Sequence, residues 1–263
     1  MYLLTKTTET ELSRVQATIA KELSNEKIIQ EIYEYIFNVK GKKTRALLCL
    51  LASKASDIKP RSRIALASII ELLHTATLVH DDVVDESERR RGTESVNQVW
   101  TNSYSVLMGD FIYSKAFILM VKLGISSILD ELAKATNDIA RGEIIQLELF
   151  ENKQPITLDE LLKVSYLKTG RLFEASAKTG AMLASKSKEE IKIFGELGKA
   201  LGTAFQIQDD ILDYEAFKLD IGKPPLKDFK EGKITFPLYF ALQNANKKDR
   251  KFLLDKLGQS KLL

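Results

Sequence analysis

The chain of 263 residues is 44% hydrophobic and 29% charged, with 39 Lys and Arg against 36 Asp and Glu and a single cysteine. That is the composition of a globular protein with a large core; it excludes an intrachain disulfide framework and a cysteine-held metal, and its charge balance argues neither for nor against nucleic acid. Five prolines, thirteen glycines and no long polar tract leave no flexible linker, so one domain over residues 1–263 is expected. No signal-peptide pattern opens the chain and no apolar run reaches bilayer length, so a soluble protein is expected, with Cys49 packed in a core and a reducing cytoplasm as its setting.

Apolar positions at helical spacing (Leu12, Val15, Ile19, Leu23, then Ile28, Ile32 and Ile36) predict a helix or two over residues 10–37. A basic loop, Lys40-Gly41-Lys42-Lys43-Thr44-Arg45, then opens a buried helix of Leu47, Leu48, Leu50 and Leu51. Amides at a helix start, with Lys42 and Arg45 about one turn apart, suit an anion such as a diphosphate; a solvated basic cap is the alternative. Pro60 ends that segment, and a helix from about Arg61 runs apolar from Ile64 until Asp81, Asp82 and Asp85 interrupt it. Asp81 and Asp85 are one turn apart and share a face. Carboxylates so crowded repel unless a cation lies among them, and ligation by oxygen alone points to Mg2+ bridging to a substrate phosphate. His74 lies seven positions before Asp81, on the same face, and reads as a phosphate donor; a hydrogen-bonded core histidine is the alternative. Arg89, Arg90 and Arg91 follow the carboxylates, and their planar forks match phosphate oxygens. Nucleic-acid binding is disfavoured because basic residues alternate with acidic clusters and no aromatic-basic stripe appears.

Helices are predicted around 104–121 and 128–150, the second carrying Gly142-Glu143 and Gln146; their apolar faces suit a core or a subunit interface. Pro155-Ile156-Thr157 begins the next helix with Thr157 as its cap, leading to Lys168-Thr169-Gly170-Arg171. A lysine and a hydroxyl inside an apolar helix could meet the bridging and leaving oxygens of a diphosphate. Asp209-Asp210-Ile211-Leu212-Asp213 then repeats the earlier spacing at the end of an apolar run from Phe194 to Ile207. If the two acidic helix ends face each other across a cavity, their carboxylates could hold a small cluster of Mg2+ against one diphosphate. Gly222-Lys223-Pro224-Pro225 begins a basic loop through Lys227, Lys230 and Lys233, expected to close over bound phosphates. No alternating run predicts a strand.

In this order the pieces resemble the trans-isoprenyl diphosphate synthases, the polyprenyl synthetase family. The likeness rests on Gly41-Lys42-x-x-Arg45, His74, Asp81-Asp82-x-x-Asp85 with Arg90-Arg91-Gly92, Gly109-Asp110, Gly142-Glu143 with Gln146, Lys168-Thr169, Phe205-Gln206-x-x-Asp209-Asp210-x-x-Asp213, Gly222-Lys223 and Gly232-Lys233. Lys40 replaces the first glycine of the family's basic loop, Ala46 stands where proline is common, and Gly170 where alanine is frequent. The chain stops soon after Leu257-Gly258-Gln259-Ser260, so the last C-terminal helices are expected to be missing.

The resemblance implies an all-α, isoprenoid-synthase-like bundle of about ten helices around a deep central cavity, assembled as a homodimer. The implied reaction adds isopentenyl diphosphate head to tail to an allylic diphosphate (farnesyl or geranyl) and releases pyrophosphate. Asp81, Asp85 and Asp209 become the principal ligands of Mg2+, three ions per site held with the substrate, with Asp82, Asp210 and Asp213 as further ligands or their partners. Arg90, Lys168, Thr169, Gln206, Lys223 and Lys233 would hold the allylic diphosphate; Lys42, Arg45, His74 and Arg91 would hold isopentenyl diphosphate. Asp81, Asp85, Arg90, Lys168 and Asp209 would carry catalysis. Ala76 and Thr77, small and about one turn before Asp81, imply a longer product tunnel than a bulky aromatic there would leave; the alternative is that a residue on a facing helix, Phe111, Phe117 or Phe150, blocks the tunnel lower down. An octaprenyl-like product, a quinone side chain passed on to a membrane, is therefore expected over a farnesyl or geranylgeranyl one. A class I terpene cyclase and a catalytically dead regulatory subunit are the rival readings. The all-aspartate second cluster disfavours the first, and two intact clusters disfavour the second.

Overall fold

The computed structural model describes residues 2–22, 26–38, 41–54, 60–90, 92–151, 156–215 and 226–259. They form an all-α protein in two compact units, residues 1–136 with 172–198 and residues 137–171 with 199–263.

The first unit is built around α4 (Pro60–Val84), against which α1 (Tyr2–Lys21), α3 (Thr44–Ala52) and α6 (Asn102–Leu123) pack, with α2 (Lys27–Asn38) nearby. Pro60 supplies the fixed φ that a first helical turn accepts. The middle of α4 is apolar all round: Leu66, Ala67, Ile69, Ile70, Leu72, Leu73 and Ala76 are fully buried, the mark of a helix enclosed by others. This corrects the expectation that no apolar run approaches bilayer length, because among the described residues one helix, α4, is long and apolar enough to cross a membrane. Its mostly buried surface makes it a core helix instead. Val15, Ile19, Ile32, Cys49 and Leu50 join the same core. In α3, however, Leu51 faces outward and Leu47 and Leu48 are only half-buried, since Arg45, Ala46, Cys49, Leu50 and Ala52 form the inward face.

After α4 the chain makes a small hairpin, β1 (Arg89–Arg90) antiparallel to β2 (Thr93–Glu94). Two-residue strands show no alternation, so the pattern does not reveal them; Gly92, at φ 84°, makes the turn. The short α5 (Val96–Val99) leads to α6, which Thr101 caps and Gly124 ends at φ 74°. The predicted helices at 104–121 and 128–150 thus extend to α6 and α7 (Ser126–Glu151).

The second unit takes the latter part of α7, then α8 (Leu158–Ser165), which begins with the expected cap: Thr157 and Glu160 form a reciprocal capping box. A π-helical turn, Tyr166–Gly170, interrupts the passage into α9 (Arg171–Leu183). The second acidic cluster ends α10 (Lys188–Glu215). The short α11 (Lys227–Lys230), α12 (Phe236–Asn244) and α13 (Lys247–Lys256) follow, with a small core of Phe229, Leu238 and Leu242.

Candidate active site

In the first unit, Asp81 and Asp82 sit on the last turn of α4 and Asp85 in the turn just after it, and the three do not share one environment. Asp82 is 2% exposed and both its oxygens accept from Arg90 Nε at 2.8 Å, with Arg90 Nη2 2.7 Å from Oδ1. Burial alone would lower the Arg90 pKa; the hydrogen bond and charge of Asp82, with Asp81 and Asp85 beside it, outweigh that and raise it. Asp81 and Asp85, one turn apart, are only half-buried.

Arg45 and His74 are brought together: Arg45 Nη1 lies 2.9 Å from His74 Nε2. A guanidinium only donates, so Nε2 is the acceptor and the proton of this neutral imidazole sits on Nδ1. Arg45 itself is buried, its guanidinium 4.5 Å over the Phe173 ring. A cavity of about 60 Å³ is lined by Gly41, Lys43, His74, Asp82 and Arg90 among others, so cations from the basic loop and the hairpin reach one space. Lys42 is exposed. Lys40 and Arg91 lie outside the described residues, as do Leu23, Pro155, Gly222, Lys223, Pro224 and Pro225. On α4, Ala76 is buried in the core, while Thr77 is half-buried and its hydroxyl donates to the His74 carbonyl at 2.7 Å.

In the second unit the π-helical turn presents Lys168 and Thr169 to α7 and α10. Lys168 Nζ donates to Glu143 Oε2 at 2.7 Å and to Gln146 Oε1 at 2.9 Å. Thr169 Oγ1 donates to Gln206 Oε1 at 2.6 Å, and Gln206 Nε2 donates to Asp210 Oδ1 at 2.7 Å. The backbone N–H of Phe236 completes the chain at Asp210 Oδ2, 3.3 Å away. Asp210 is 5% exposed, and burial pushes its pKa up against those two hydrogen bonds, with Asp209 and Asp213 adding to the rise. Asp213 accepts from the backbone N–H groups of Lys227 and Asp228 and so anchors the start of α11. Asp209 is exposed. Lys233 Nζ lies 2.9 Å from Glu231 Oε2.

The two acidic clusters therefore have the same internal layout. The middle aspartate is withdrawn and hydrogen-bonded, and the outer ones are more accessible. Among the described residues no three acidic, histidine or cysteine side chains converge on one point where they would hold a metal unaided. Sequence reasoning named Glu143 and Gln146 without giving them a role; the signal was their spacing of three on a helix, one carboxylate and one amide facing the same way.

The model of the polyprenyl synthetase family matches residues 26–262. Octaprenyl diphosphate synthase of Escherichia coli (strain K12) is 41% identical over 238 residues, covering 90% of this chain and 73% of that one. Two solved structures match 99% of the chain. A decaprenyl diphosphate synthase from Rhodobacter capsulatus does so with a TM-score of 0.91 at 35% identity, covering 80% of that chain. A polyprenyl synthase from Caulobacter crescentus CB15, complexed with calcium and isoprenyl diphosphate, does so with a TM-score of 0.92 at 33% identity, covering 79% of that chain. With a family model over nearly its whole length and a curated relative 41% identical over 90% of it, the chain belongs to the polyprenyl synthetase family.

Proposed function

We propose that this chain adds isopentenyl diphosphate units head to tail to an allylic diphosphate and releases an octaprenyl-like product. Membership of the family makes it a trans-prenyltransferase, and its octaprenyl, nonaprenyl and decaprenyl relatives support medium or long polyprenyl diphosphates as its products. The finer reading is supported by the octaprenyl and decaprenyl names of its relatives. The observation that carries it is the repeated layout of the acidic clusters. Asp82 and Asp210 are committed to neighbours, while Asp81, Asp85 and Asp209 remain the carboxylates more exposed to an incoming substrate.

In this reading Asp81 and Asp85, and Asp209 with Asp213, would hold divalent ions together with the allylic diphosphate; Mg2+, three per site, is the choice the oxygen donors favour. Such ions supply positive charge to the departing pyrophosphate. Asp82 aims Arg90, and Asp210 aims Gln206 and through it Thr169, so the donors around the diphosphate are fixed before it arrives. Arg90 and Lys168 offset the charge that builds on the leaving oxygen as the allylic C–O bond breaks. Lys223 and Lys233 add cations to the same diphosphate. Lys42, Arg45, His74 and Arg91 hold isopentenyl diphosphate, whose double bond attacks the allylic carbon; the proton then lost goes to the released pyrophosphate. Farnesyl or geranyl diphosphate is the primer, the whole chain works as one domain, and the cytoplasm is its compartment. A homodimer is supported by the apolar residues that α6 exposes, Leu107, Ile118 and Val121.

Incubating the purified chain with Mg2+, farnesyl diphosphate and labelled isopentenyl diphosphate, then sizing the products, tests this. A series of chains ending near octaprenyl is expected, shortened by Thr77→Phe or Ala76→Phe. A cyclised farnesyl skeleton without label would make it a terpene cyclase, no turnover a regulatory subunit, and unchanged lengths in both variants would remove Ala76 and Thr77 from the tunnel.

A further inference from the structure

Glu143 and Gln146 stand three residues apart on α7, so both side chains leave one face of that helix. The same face meets the π-helical turn at very short range: a Cβ on Gly142 would lie 2.7 Å from Leu167 Cβ and 3.0 Å from the Lys168 backbone nitrogen. Only a glycine lets the two backbones approach so closely, and this approach brings the Lys168 ammonium between the carboxylate at 2.7 Å and the amide oxygen at 2.9 Å. An ammonium has three N–H bonds and no acceptor. Two are committed here, and the third is left for a phosphate oxygen. An unheld lysine, with its long flexible stem, would instead spread that charge over many rotamers.

We infer that Glu143 and Gln146 are positioning residues that hold Lys168 in the one orientation from which its remaining N–H reaches the leaving oxygen of the allylic diphosphate. This rests on the assignment of Lys168 to that diphosphate made above. Neither residue touches substrate; each acts through Lys168. The leaving oxygen gains most of its charge as the C–O bond breaks, so a misdirected ammonium costs more in the transition state than in the bound substrate. The loss therefore falls on kcat and leaves KM for the allylic diphosphate nearly unchanged. Because the amide of glutamine can accept as the carboxylate does, Glu143→Gln keeps most of the positioning.

The test is a double-mutant cycle on the full chain. It measures kcat and KM for farnesyl diphosphate at saturating isopentenyl diphosphate and Mg2+, with Tm followed for every variant. Glu143→Ala and Gln146→Ala are each expected to lower kcat on the order of tenfold, with KM and Tm little moved, and Glu143→Gln to recover most of the loss. Lys168→Ala is expected to lower kcat further, and adding Glu143→Ala or Gln146→Ala to it to cost nothing more. Losses that multiply in the combined variants overturn the inference and leave the assignment of Lys168 standing. A Lys168→Ala enzyme with unchanged kinetics overturns both. If Glu143→Ala does not fold, Gln146→Ala, which removes no charge, completes the cycle alone.

Discussion

Asp228, in α11, donates its backbone N–H to Asp213 Oδ2 at 3.1 Å and is half-buried. Burial first, and the charge of Asp213 second, lift its pKa to about 7 against the pull of Lys233. The unfolded chain gives up that proton near pH 4 and the folded chain keeps it to about 7, so between those values the folded state binds more protons. The stability this group contributes is then fully present below about pH 4, falls as pH rises, and is lost above about pH 7. Asp228→Asn removes the titration. The wild-type Tm is expected to fall by several degrees between about pH 5 and about pH 8 and the variant's Tm to fall less; parallel curves in a thermal melt would assign the change to other groups. None of this was legible in the sequence, where Asp228 is one acid among lysines. The cause is enclosure by chain that follows Asp213 only after a long connection.

Two glycines govern how the π-helical turn meets its neighbours. At Gly142 an added Cβ would press on Leu167 and on the backbone of Lys168, neither of which can yield without moving α7. At Gly170 it would lie 3.2 Å from Tyr166 Cδ2 and 3.5 Å from Thr203 Oγ1, contacts that a small side-chain shift relieves. Gly142→Ala is therefore expected to cost about 1–3 kcal/mol and most of the activity, and Gly170→Ala to be tolerated within about 1 kcal/mol. Urea titration with a kinetic assay checks both, and equal effects at the two positions would contradict this account of the packing. Helix ends were readable because Pro60 and Thr157 carry their own chemistry; the latter's capping box is a local, four-residue signal. The π-helical turn was not readable. It is an extra residue in an otherwise regular apolar pattern, stabilised by partners on α7 and α10 that are remote in sequence.

For the molecule as a whole, apolar spacing made helices such as α7 and α10 readable, while the all-α fold as such was what the resemblance to the family implied. The hairpin of Arg89–Arg90 with Thr93–Glu94 was invisible because two residues cannot alternate. The bilayer-length apolar stretch of α4 was not legible because Arg63, Ser68, Glu71 and Thr75 interrupt it; each is buried, and Arg63 pairs with Glu11 at 2.8 Å. The aspartates themselves were legible, while the division of labour within each cluster was not: Asp82 is distinguished by Arg90, and Asp210 by Gln206 and the Phe236 amide, contacts that no spacing rule contains. The claim on which the function depends is that Asp81 and Asp209, 128 positions apart (209 minus 81), serve the same diphosphate. Calorimetric titration with an unreactive thio analogue of farnesyl diphosphate, with and without Mg2+, measures this in the full chain and in Asp81→Asn, Asp209→Asn and the double variant. One Mg2+-dependent diphosphate per chain, weakened on the order of tenfold or more by either substitution, is the predicted result. Full-strength binding in either single variant, or two independent sites each lost with its own cluster, would contradict it.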